Sequence, residues 1–445
     1  MIVTKFGGSS MADASQLKKV KGILSQNPQR KIAVVSAAGK GTNNPVKLTD
    51  QLIEIYNLVH ANKDYLGALD AVWDRIYSMV EELNLKLPVR EEFDAIANQI
   101  NQLTYAELVS RGEYLTAKLL SAYLGWPMVD SADFLVLNNG KVDYAQSKQR
   151  LLMLGKNIEH CVIPGFYGVD PDGEIALLPR GGGDTSGAVV ANLVNAQCYE
   201  NWTDTNGILA VDPRIVKNPA KVDVLSYDEL QELSYLGVKV FNEEAIQPVR
   251  IKQIPIRIMN TNQPDLGGTF VVTSKQDFDY DSDIAGVAGK QNQAILSVKK
   301  YQLSNDVNAI IDLIKLVNAN HLKSTYSLSG DSITFVLSGN VDSEMLDHLV
   351  ARINAVVKPD NVSVKTGMAK IAVVSEAFYG RPKLVGKMID LLEDNQIKVQ
   401  QVIQTNSDIK VVFGIANKDY QRAIECLYKQ FFRFEKQSSR LIVNY

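Results

Sequence analysis

Two short apolar runs with an amphipathic segment between them open the chain, and they constrain its fold more than any other feature. The run around Val3 and the run in "RKIAVVSAAGKGTNN" are typical of buried strands. Between them, "QLKKVKGIL" places its apolar residues at helical spacing. A strand, a helix and a second strand at this spacing predict a parallel sheet, in which ligands bind at the carboxyl ends of the strands.

The first strand ends in "KFGGSS", which combines a lysine, two glycines and two hydroxyl groups. Glycines let a backbone approach a ligand closely, and free amide groups at such a turn bind anions. Lys5 adds a mobile positive charge beside them. The alternative that these six residues leave open is an ordinary strand-to-helix turn with a surface lysine.

Length and charge exclude several classes of protein. A chain of 445 residues predicts roughly three domains, and 46% hydrophobic with 22% charged residues is typical of a soluble globular protein. The net charge of −3 gives no basic surface for nucleic acid or for an anionic membrane. We therefore expect neither as a partner.

Cysteine and histidine usage argues against a disulfide framework and a zinc site. The three cysteines, Cys161, Cys198 and Cys426, are far apart and odd in number, and the four histidines have no ligand spacing. No metal-ligating residues are assigned, and a metal such as Mg²⁺ would be held by oxygen atoms. The chain shows no signal peptide and no apolar run of membrane-spanning length, which predicts a cytoplasmic protein.

The remainder of the chain divides by pattern. Residues 47–124 contain very few glycines and predict a helical insertion that caps the sheet. Strand signals return after it, and the acidic segment 274–283 is interpreted as a linker. Beyond the linker a βαββα pattern occurs twice, with helices predicted around 307–316, 345–357, 384–392 and 420–431. Such a repeat is typical of two ferredoxin-like modules that sense small molecules.

The strongest local motif is "LPRGGGDTSG", in which three glycines precede Asp184 and an apolar helix. A helix N-terminus flanked by glycines is an anion site. Asp184 either caps that helix or orients a lysine or a phosphate, and this segment alone does not decide between them. A P-loop is rejected, because in "GRPKLVGKM" the gap is one residue too long and Met388 replaces the required hydroxyl.

Two further segments carry candidate groups. "VSRGEYLTAKLL" places Glu113 at the predicted beginning of an apolar helix, where a charge also has a purely structural use. "WTDTNGILAVDPR" offers Thr203, Asp204 and Arg214 in loops that follow strands. Such loops bind nucleotides in many proteins, but they also serve as plain turns.

Together these segments resemble the aspartokinases, enzymes with the amino-acid-kinase fold and C-terminal ACT domains. The resemblance rests on eight motifs in order, and it covers essentially the whole chain: "KFGGSS", "VVSAAGKGTN", "RGEYLTAKLL", "GFYGVD", "RGGGDTSG", "WTDTNGI", "DPR" and "LGVKVF". It implies an α/β fold with a mainly parallel sheet sandwiched by helices, plus two βαββαβ ACT modules. The implied domains are a kinase domain at 1–283, with its insertion at about 47–124, and ACT modules at 284–370 and 371–445.

The resemblance also implies roles for individual residues. Lys5 would neutralise the transferred phosphoryl group, and Asp184 would orient Lys5. Glu113 would bind the α-ammonium group of the substrate, and Arg180 a substrate carboxylate. The full implied set is Lys5 and Asp184 for catalysis; Ser36, Thr42, Glu113 and Arg180 for the substrate; and Gly7, Gly8, Ser9, Thr203, Asp204, Arg214 and Lys239 for ATP.

Three positions depart from the family pattern. Gly183 stands where a serine is usual, so one hydroxyl donor is missing. Leu209 stands where an aromatic residue is common against the adenine, and "VFNEEA" follows Lys239 in place of a more usual "VLHP". These changes affect the predicted nucleotide contacts, whereas Lys5 and Asp184 are retained.

The implied activity is transfer of the γ-phosphoryl group of ATP, with Mg²⁺, to the β-carboxylate of L-aspartate. A kinase acting on glutamate or acetylglutamate, and a kinase-like sensor without catalysis, are the alternatives. Lysine, threonine or both are the implied effectors, with Ser407 and Asp408 in "QTNSDI" as candidate contacts. A homodimer formed through the ACT modules is also implied.

Overall fold

The structure, a computed structural model of the chain, describes residues 1–41, 44–179, 181–238, 243–275, 284–319, 322–339, 341–378, 381–404 and 409–432. The predicted linker lies outside the described residues from 276 to 283. The strands are β1 (Ile2–Phe6), β2 (Arg30–Val35), β3 (Leu137–Asn138), β4 (Lys141–Val142), β5 (Cys161–Pro164), β6 (Tyr167–Val169), β7 (Ile175–Leu177), β8 (Cys198–Thr203), β9 (Ile208–Leu209), β10 (Lys221–Val222), β11 (Val224–Ser226), β12 (Ile256–Asn260), β13 (Thr269–Val272), β14 (Gly286–Lys299), β15 (Lys323–Ser329), β16 (Ser332–Ser338), β17 (Asn361–Val374), β18 (Gln401–Ile403) and β19 (Lys410–Ala416).

Helices alternate with these strands along the chain. They are α1 (Ala14–Gln26), α2 (Leu48–His60), α3 (Leu66–Glu82), α4 (Val89–Gln99), α5 (Tyr105–Leu124), α6 (Ser131–Phe134), α7 (Tyr144–Met153), α8 (Gly182–Leu193), α9 (Tyr227–Tyr235), α10 (Ile246–Ile251), α11 (Val307–Asn318), α12 (Ser343–Val357), α13 (Pro382–Asp394) and α14 (Tyr420–Phe431). Within the described ranges, no helix is both long enough and apolar enough to span a bilayer.

The N-terminal half is built on one sheet with the strand order β11-β13-β12-β8-β1-β2-β5. β1 runs parallel to β2 and β8, β8 is parallel to β12, and β2 is parallel to β5. β13 runs antiparallel to β12. The predicted mainly parallel sheet is thus confirmed, and the carboxyl ends of β1, β2 and β8 meet at one edge.

Helices cover both faces of this sheet. One core cluster packs α8 against a face that includes Val3, and the other packs α1 and the helices of 48–124 against the face that includes Phe6. Because side chains alternate along a strand, Lys5 shares the face of Val3 and points toward α8. The helix predicted from "QLKKVKGIL" is confirmed, and its apolar residues are buried as the spacing predicts: Leu17, Val20, Ile23 and Leu24.

The C-terminal region forms a second, antiparallel sheet with the order β15-β16-β14-β17-β19-β18. β14 and β17 are 14 residues long and pair along their whole length. The second half of β14 packs with α11 and α12 around one core, whereas Ile284 and Val287 join a second core with α13 and α14. The helices predicted here are confirmed; the limit predicted between 370 and 371 falls inside β17, and the domain limits stay a prediction.

Candidate functional site

Lys5 and Asp184 form an ion pair at the carboxyl edge of the first sheet. Lys5 lies near the end of β1 and is only 7% exposed. Asp184 lies in the first turn of α8, and its Oδ1 accepts a hydrogen bond from Lys5 Nζ. An ammonium group removed from water to this degree requires a charged partner, and Asp184 supplies it.

The structure decides between the two interpretations of Asp184. The N-cap of α8 is Gly181, whose φ of 86° suits a residue without a side chain, and no side chain caps the helix. The capping alternative is therefore wrong, because the carboxylate of Asp184 turns to Lys5 instead of to the helix amides.

Two residues of β8 also form hydrogen bonds with Asp184. Asn201 is the register partner of Lys5 on the adjacent strand, and its Nδ2 donates to Asp184 Oδ1 at 3.1 Å. The hydroxyl of Tyr199 donates to the main-chain carbonyl of Asp184 at 3.0 Å. A Cβ at Gly187 would lie 2.6 Å from that hydroxyl, so the glycine makes room for Tyr199.

The glycine turn after β1 touches the loop after β2. The amide of Gly7 donates to the carbonyl of Trp202 at 2.9 Å, and the amide of Gly39 donates to the carbonyl of Gly8 at 2.8 Å. A Cβ on Gly39 would lie 2.4 Å from the carbonyl carbon of Gly8, so this close approach requires glycine. Gly8 and Ser9 are half-buried at this edge of the sheet, beside the Lys5 strand end.

Ser36 and Gly183 face each other across the same edge. A Cβ built on Gly183 would lie 2.7 Å from Ser36 Oγ and 3.6 Å from Lys5 Cε. The missing side chain at 183 therefore leaves the space that the Ser36 hydroxyl occupies. A side chain at position 183 would force the Ser36 hydroxyl to rotate away from its present position.

Glu113 lies inside α5, and the prediction that it begins a helix is wrong. The helix starts at Tyr105, after a capping box between Thr104 and Glu107, so Glu113 stands on its third turn. Its side chain packs beside the loop after β2 and is 5% exposed. A helix-start charge is thus not its role.

The carboxyl group of Glu113 has an unusually high pKa. Burial raises its pKa to about 8, while the backbone amides of Ala37 and Glu113 and the charge of Lys5 oppose this shift. Its Oε2 has no hydrogen-bond partner among the described residues, and the same is true of Thr185 Oγ1 and Asn201 Oδ1. Unpaired buried oxygens around one ion pair indicate a place for a polar ligand.

A cavity of about 460 Å³ lies beyond the end of β8. It is lined by the loop that carries Thr205 and Gly207 and by the turn at Asp212 and Arg214, which form an ion pair with a shortest N–O distance of 2.6 Å. Thr203 and Asp204 lead directly into this loop, and their hydroxyl and carboxylate are 3.2 Å apart. The volume is within the range of small-molecule sites.

Several predicted site residues lie outside the described residues, so their position relative to the site is not tested by the structure. They are Thr42, Arg180, Lys239, Ser407 and Asp408.

The sequence analysis missed Asn201, Tyr199 and Arg75. Asn201 stands in the strand sequence "CYENWT" beside other polar residues, so no local signal set it apart. Arg75, on α3, is 3% exposed and donates to the carbonyls of Ala12 and Gly39, thereby joining the helical insertion to the glycine turns. No local pattern marks such a long-range contact.

Comparison with known proteins agrees with this architecture. The Amino acid kinase family profile matches residues 1–260, and an ACT domain profile matches residues 371–431. Aspartokinase 3 of Bacillus subtilis is 31% identical, over 97% of this chain and 99% of that protein.

Solved structures give the same result. The aspartate kinase of Clostridium acetobutylicum superposes with a TM-score of 0.90 at 32% identity, over 97% of this chain and all of that one. E. coli aspartokinase III, crystallised with aspartate and ADP, has the same fold, with a TM-score of 0.73 at 21% identity over 97% of this chain and all of that one. The fold expected from the sequence motifs is confirmed, and the chain belongs to the amino acid kinase family and, within it, to the aspartokinases.

Proposed function

We propose that this protein is an aspartate kinase that transfers the γ-phosphoryl group of ATP to the β-carboxylate of L-aspartate. The product is 4-phospho-L-aspartate, the first intermediate toward lysine, threonine and methionine. The observation that carries the proposal is the partly buried Lys5–Asp184 ion pair beside two glycine turns, in a chain that is 31% identical to an aspartokinase over 97% of its length.

Catalysis of this reaction depends mainly on positioning the two substrates and on stabilising the charge of the transferred group. An oxygen of the substrate carboxylate attacks the γ-phosphorus, and the bond from that phosphorus to the β–γ bridging oxygen breaks, which releases ADP. Lys5 stabilises the charge on the transferred group, and Asp184 keeps the ammonium in place. The turn of Gly7, Gly8 and Ser9 offers its backbone amides and hydroxyl to phosphate oxygens.

Substrate recognition rests on Glu113 and Ser36. The unpaired Oε2 of Glu113 suits the α-ammonium group of aspartate, since a buried carboxylate gains most from an opposite charge. Ser36 offers its hydroxyl next to Lys5. Thr42 and Arg180 belong to the same proposal as substrate contacts, on the sequence motifs alone.

Nucleotide recognition is assigned to the cavity after β8, with Thr203, Asp204 and Arg214 at its edge and Lys239 added from the sequence motif. The described residues bring together no group of three or more acidic, histidine or cysteine side chains suited to a metal. Mg²⁺ is part of the proposal as an ion held chiefly by ATP phosphates and water, as is usual for this ion.

The C-terminal sheet is proposed to be the regulatory part. E. coli aspartokinase III was crystallised with lysine and aspartate in its T-state. By analogy, lysine, threonine or both are proposed as effectors of this enzyme, with Ser407 and Asp408 as contacts. A homodimer formed through the ACT modules, and a location in the cytoplasm, complete the proposal.

Aspartate-dependent ADP release by the purified protein tests the activity. We expect turnover with aspartate and much less with glutamate or N-acetylglutamate. Preferred use of either glutamate compound would replace the proposal with the kinase alternative. Absence of turnover with all three, in a folded protein that binds the amino acid, would favour the sensor.

A further inference from the structure

The cavity after β8 has two walls that come from different parts of the fold. One wall is formed by the loop and the turn that follow β8 of the first sheet, and it includes Gly207, Leu209 and Arg214. The other wall comes from the C-terminal region, where Ala288 and Tyr420 face the same space. Any molecule that fills the cavity therefore touches both regions.

Two hydrogen bonds join the regions that form the two walls. The amide of Val287, at the start of β14, donates to the carbonyl of Ala210 at 2.8 Å. The hydroxyl of Tyr428 on α14 accepts a hydrogen bond from the amide of Ala220 at 2.7 Å. Because residues of both regions line the cavity, a displacement of the C-terminal sheet relative to the first sheet changes the shape of the cavity.

Tyr420 is an aromatic residue in the cavity lining. It is the first residue of α14, is half-buried, and its hydroxyl donates to the carbonyl of Gly289 at 3.0 Å. Tyr420 lines the same cavity as Asp212 and Arg214. Burial raises the pKa of its hydroxyl, the charge of Asp212 adds to this effect, and the charge of Arg214 opposes it. The hydrogen bond holds the phenol end within the C-terminal region, while the ring contributes to the cavity lining.

We propose that Tyr420 contacts the base of the bound nucleotide, so that ATP binds between the kinase region and the regulatory region. The inference rests on the proposed function, which assigns this cavity to the nucleotide. An aromatic face suits a purine, since an aromatic ring can stack on any base and such stacking is strong for a single contact. The remaining lining is largely aliphatic, as a base pocket requires.

This arrangement gives a direct route for regulation. A ligand that shifts the C-terminal sheet moves Tyr420 relative to the Asp212–Arg214 turn and changes nucleotide affinity. By linkage, bound nucleotide changes the affinity for that ligand by the same factor. The coupling needs no relay through the Lys5–Asp184 pair.

The test compares Tyr420→Ala, Tyr420→Leu and Tyr420→Phe in the full chain, with Gln421→Ala as the matched control on the same helix. Nucleotide affinity is measured by titrating ADP calorimetrically and by the KM for ATP. We expect Tyr420→Ala and Tyr420→Leu to bind nucleotide about 5- to 50-fold more weakly, the range of one stacking contact. Tyr420→Phe, which keeps the ring, should stay within about twofold of the wild type.

One further measurement and the choice of variants make the result decisive. The KM for aspartate should be unchanged in the Tyr420 variants, since this residue lies outside the substrate site. Tyr420→Leu keeps an apolar side chain of similar bulk, so it tests the ring if Tyr420→Ala does not fold. Equal nucleotide affinity in wild type and Tyr420→Leu overturns this inference, whereas failure of the wild type to release ADP with aspartate overturns the proposed function instead.

Discussion

Asn201 and Lys5 are register partners on neighbouring parallel strands, and both donate to the same carboxylate oxygen of Asp184. The carboxylate is thereby held between two donors from adjacent strands. Asn201 is 2% exposed, and its own carbonyl oxygen lacks a hydrogen-bond partner among the described residues. We interpret Asn201 as a positioning residue that acts through Asp184.

Replacing Asn201 should reduce turnover more than stability. Asn201→Leu keeps the volume but removes the donor, so Asp184 is no longer fixed toward Lys5. A hydrogen bond to a charged group is worth about 1.5–3 kcal/mol, which corresponds to a roughly ten- to hundredfold lower kcat. Asn201→Asp, which adds a like charge, should lose more. A lower Tm with unchanged kcat would show that Asn201 is only a structural residue.

Lys5→Met should lower kcat by about a hundred- to a thousandfold, because it removes one charge-stabilising donor from the transition state. Steady-state kinetics at saturating ATP and aspartate measure this effect. Lys18→Met, an exposed lysine on α1, is the control and should match the wild type. Lys5 is not the catalytic lysine if the variant keeps a tenth of wild-type turnover.

Gly183→Ser should impair the enzyme because its Cβ would lie 2.7 Å from Ser36 Oγ. The Ser36 hydroxyl relieves this clash by rotating away, which displaces a proposed substrate contact, and we expect kcat/KM for aspartate to fall about tenfold. Ser36→Ala in the same chain removes the clashing atom and leaves one hydroxyl at this edge. The double variant should therefore recover activity relative to Gly183→Ser; additive losses would argue against the steric explanation.

The sequence predicted those parts of the site that depend on local pattern. Lys5 and its glycine turn lie within six consecutive residues, so strand, turn and charge could be recognised together. Asn201 meets Asp184 only because α8 packs on the face of β8, and Arg75 reaches Gly39 from a helix 36 residues further along the chain. Contacts of this kind depend on tertiary packing, which no short motif encodes.

One error of detail and one undecided role have equally specific causes. The sequence predicts that an apolar helix begins near Glu113, whereas the capping box at Thr104 and Glu107 sets the true start of α5 at Tyr105. Asp184 remained ambiguous because an aspartate next to a helix start suits a cap equally well in sequence. Only the placement of Lys5 beside it decides the question.

Glu113 gives the pH dependence of aspartate binding a definite sign. In the free enzyme its pKa is raised to about 8, chiefly by burial, so the carboxyl is mostly protonated at pH 6. The α-ammonium group of aspartate binds the ionised form, and hence affinity should increase as the pH rises from about 6 to 8. Well below the pKa, the ionised fraction of Glu113 increases about tenfold per pH unit. The affinity for aspartate should therefore increase about fiftyfold between pH 6 and pH 8.

The measurement is the dissociation constant for aspartate at pH values between 6 and 8, with ADP present at a fixed, saturating concentration. Glu113→Gln removes the titrating group with almost no change of shape, so its affinity should be weaker at pH 8 and nearly independent of pH. Glu113→Asp keeps a carboxylate and should retain a pH dependence. Parallel curves for wild type and Glu113→Gln would mean that another group controls the pH dependence, and that Glu113 does not bind the ammonium.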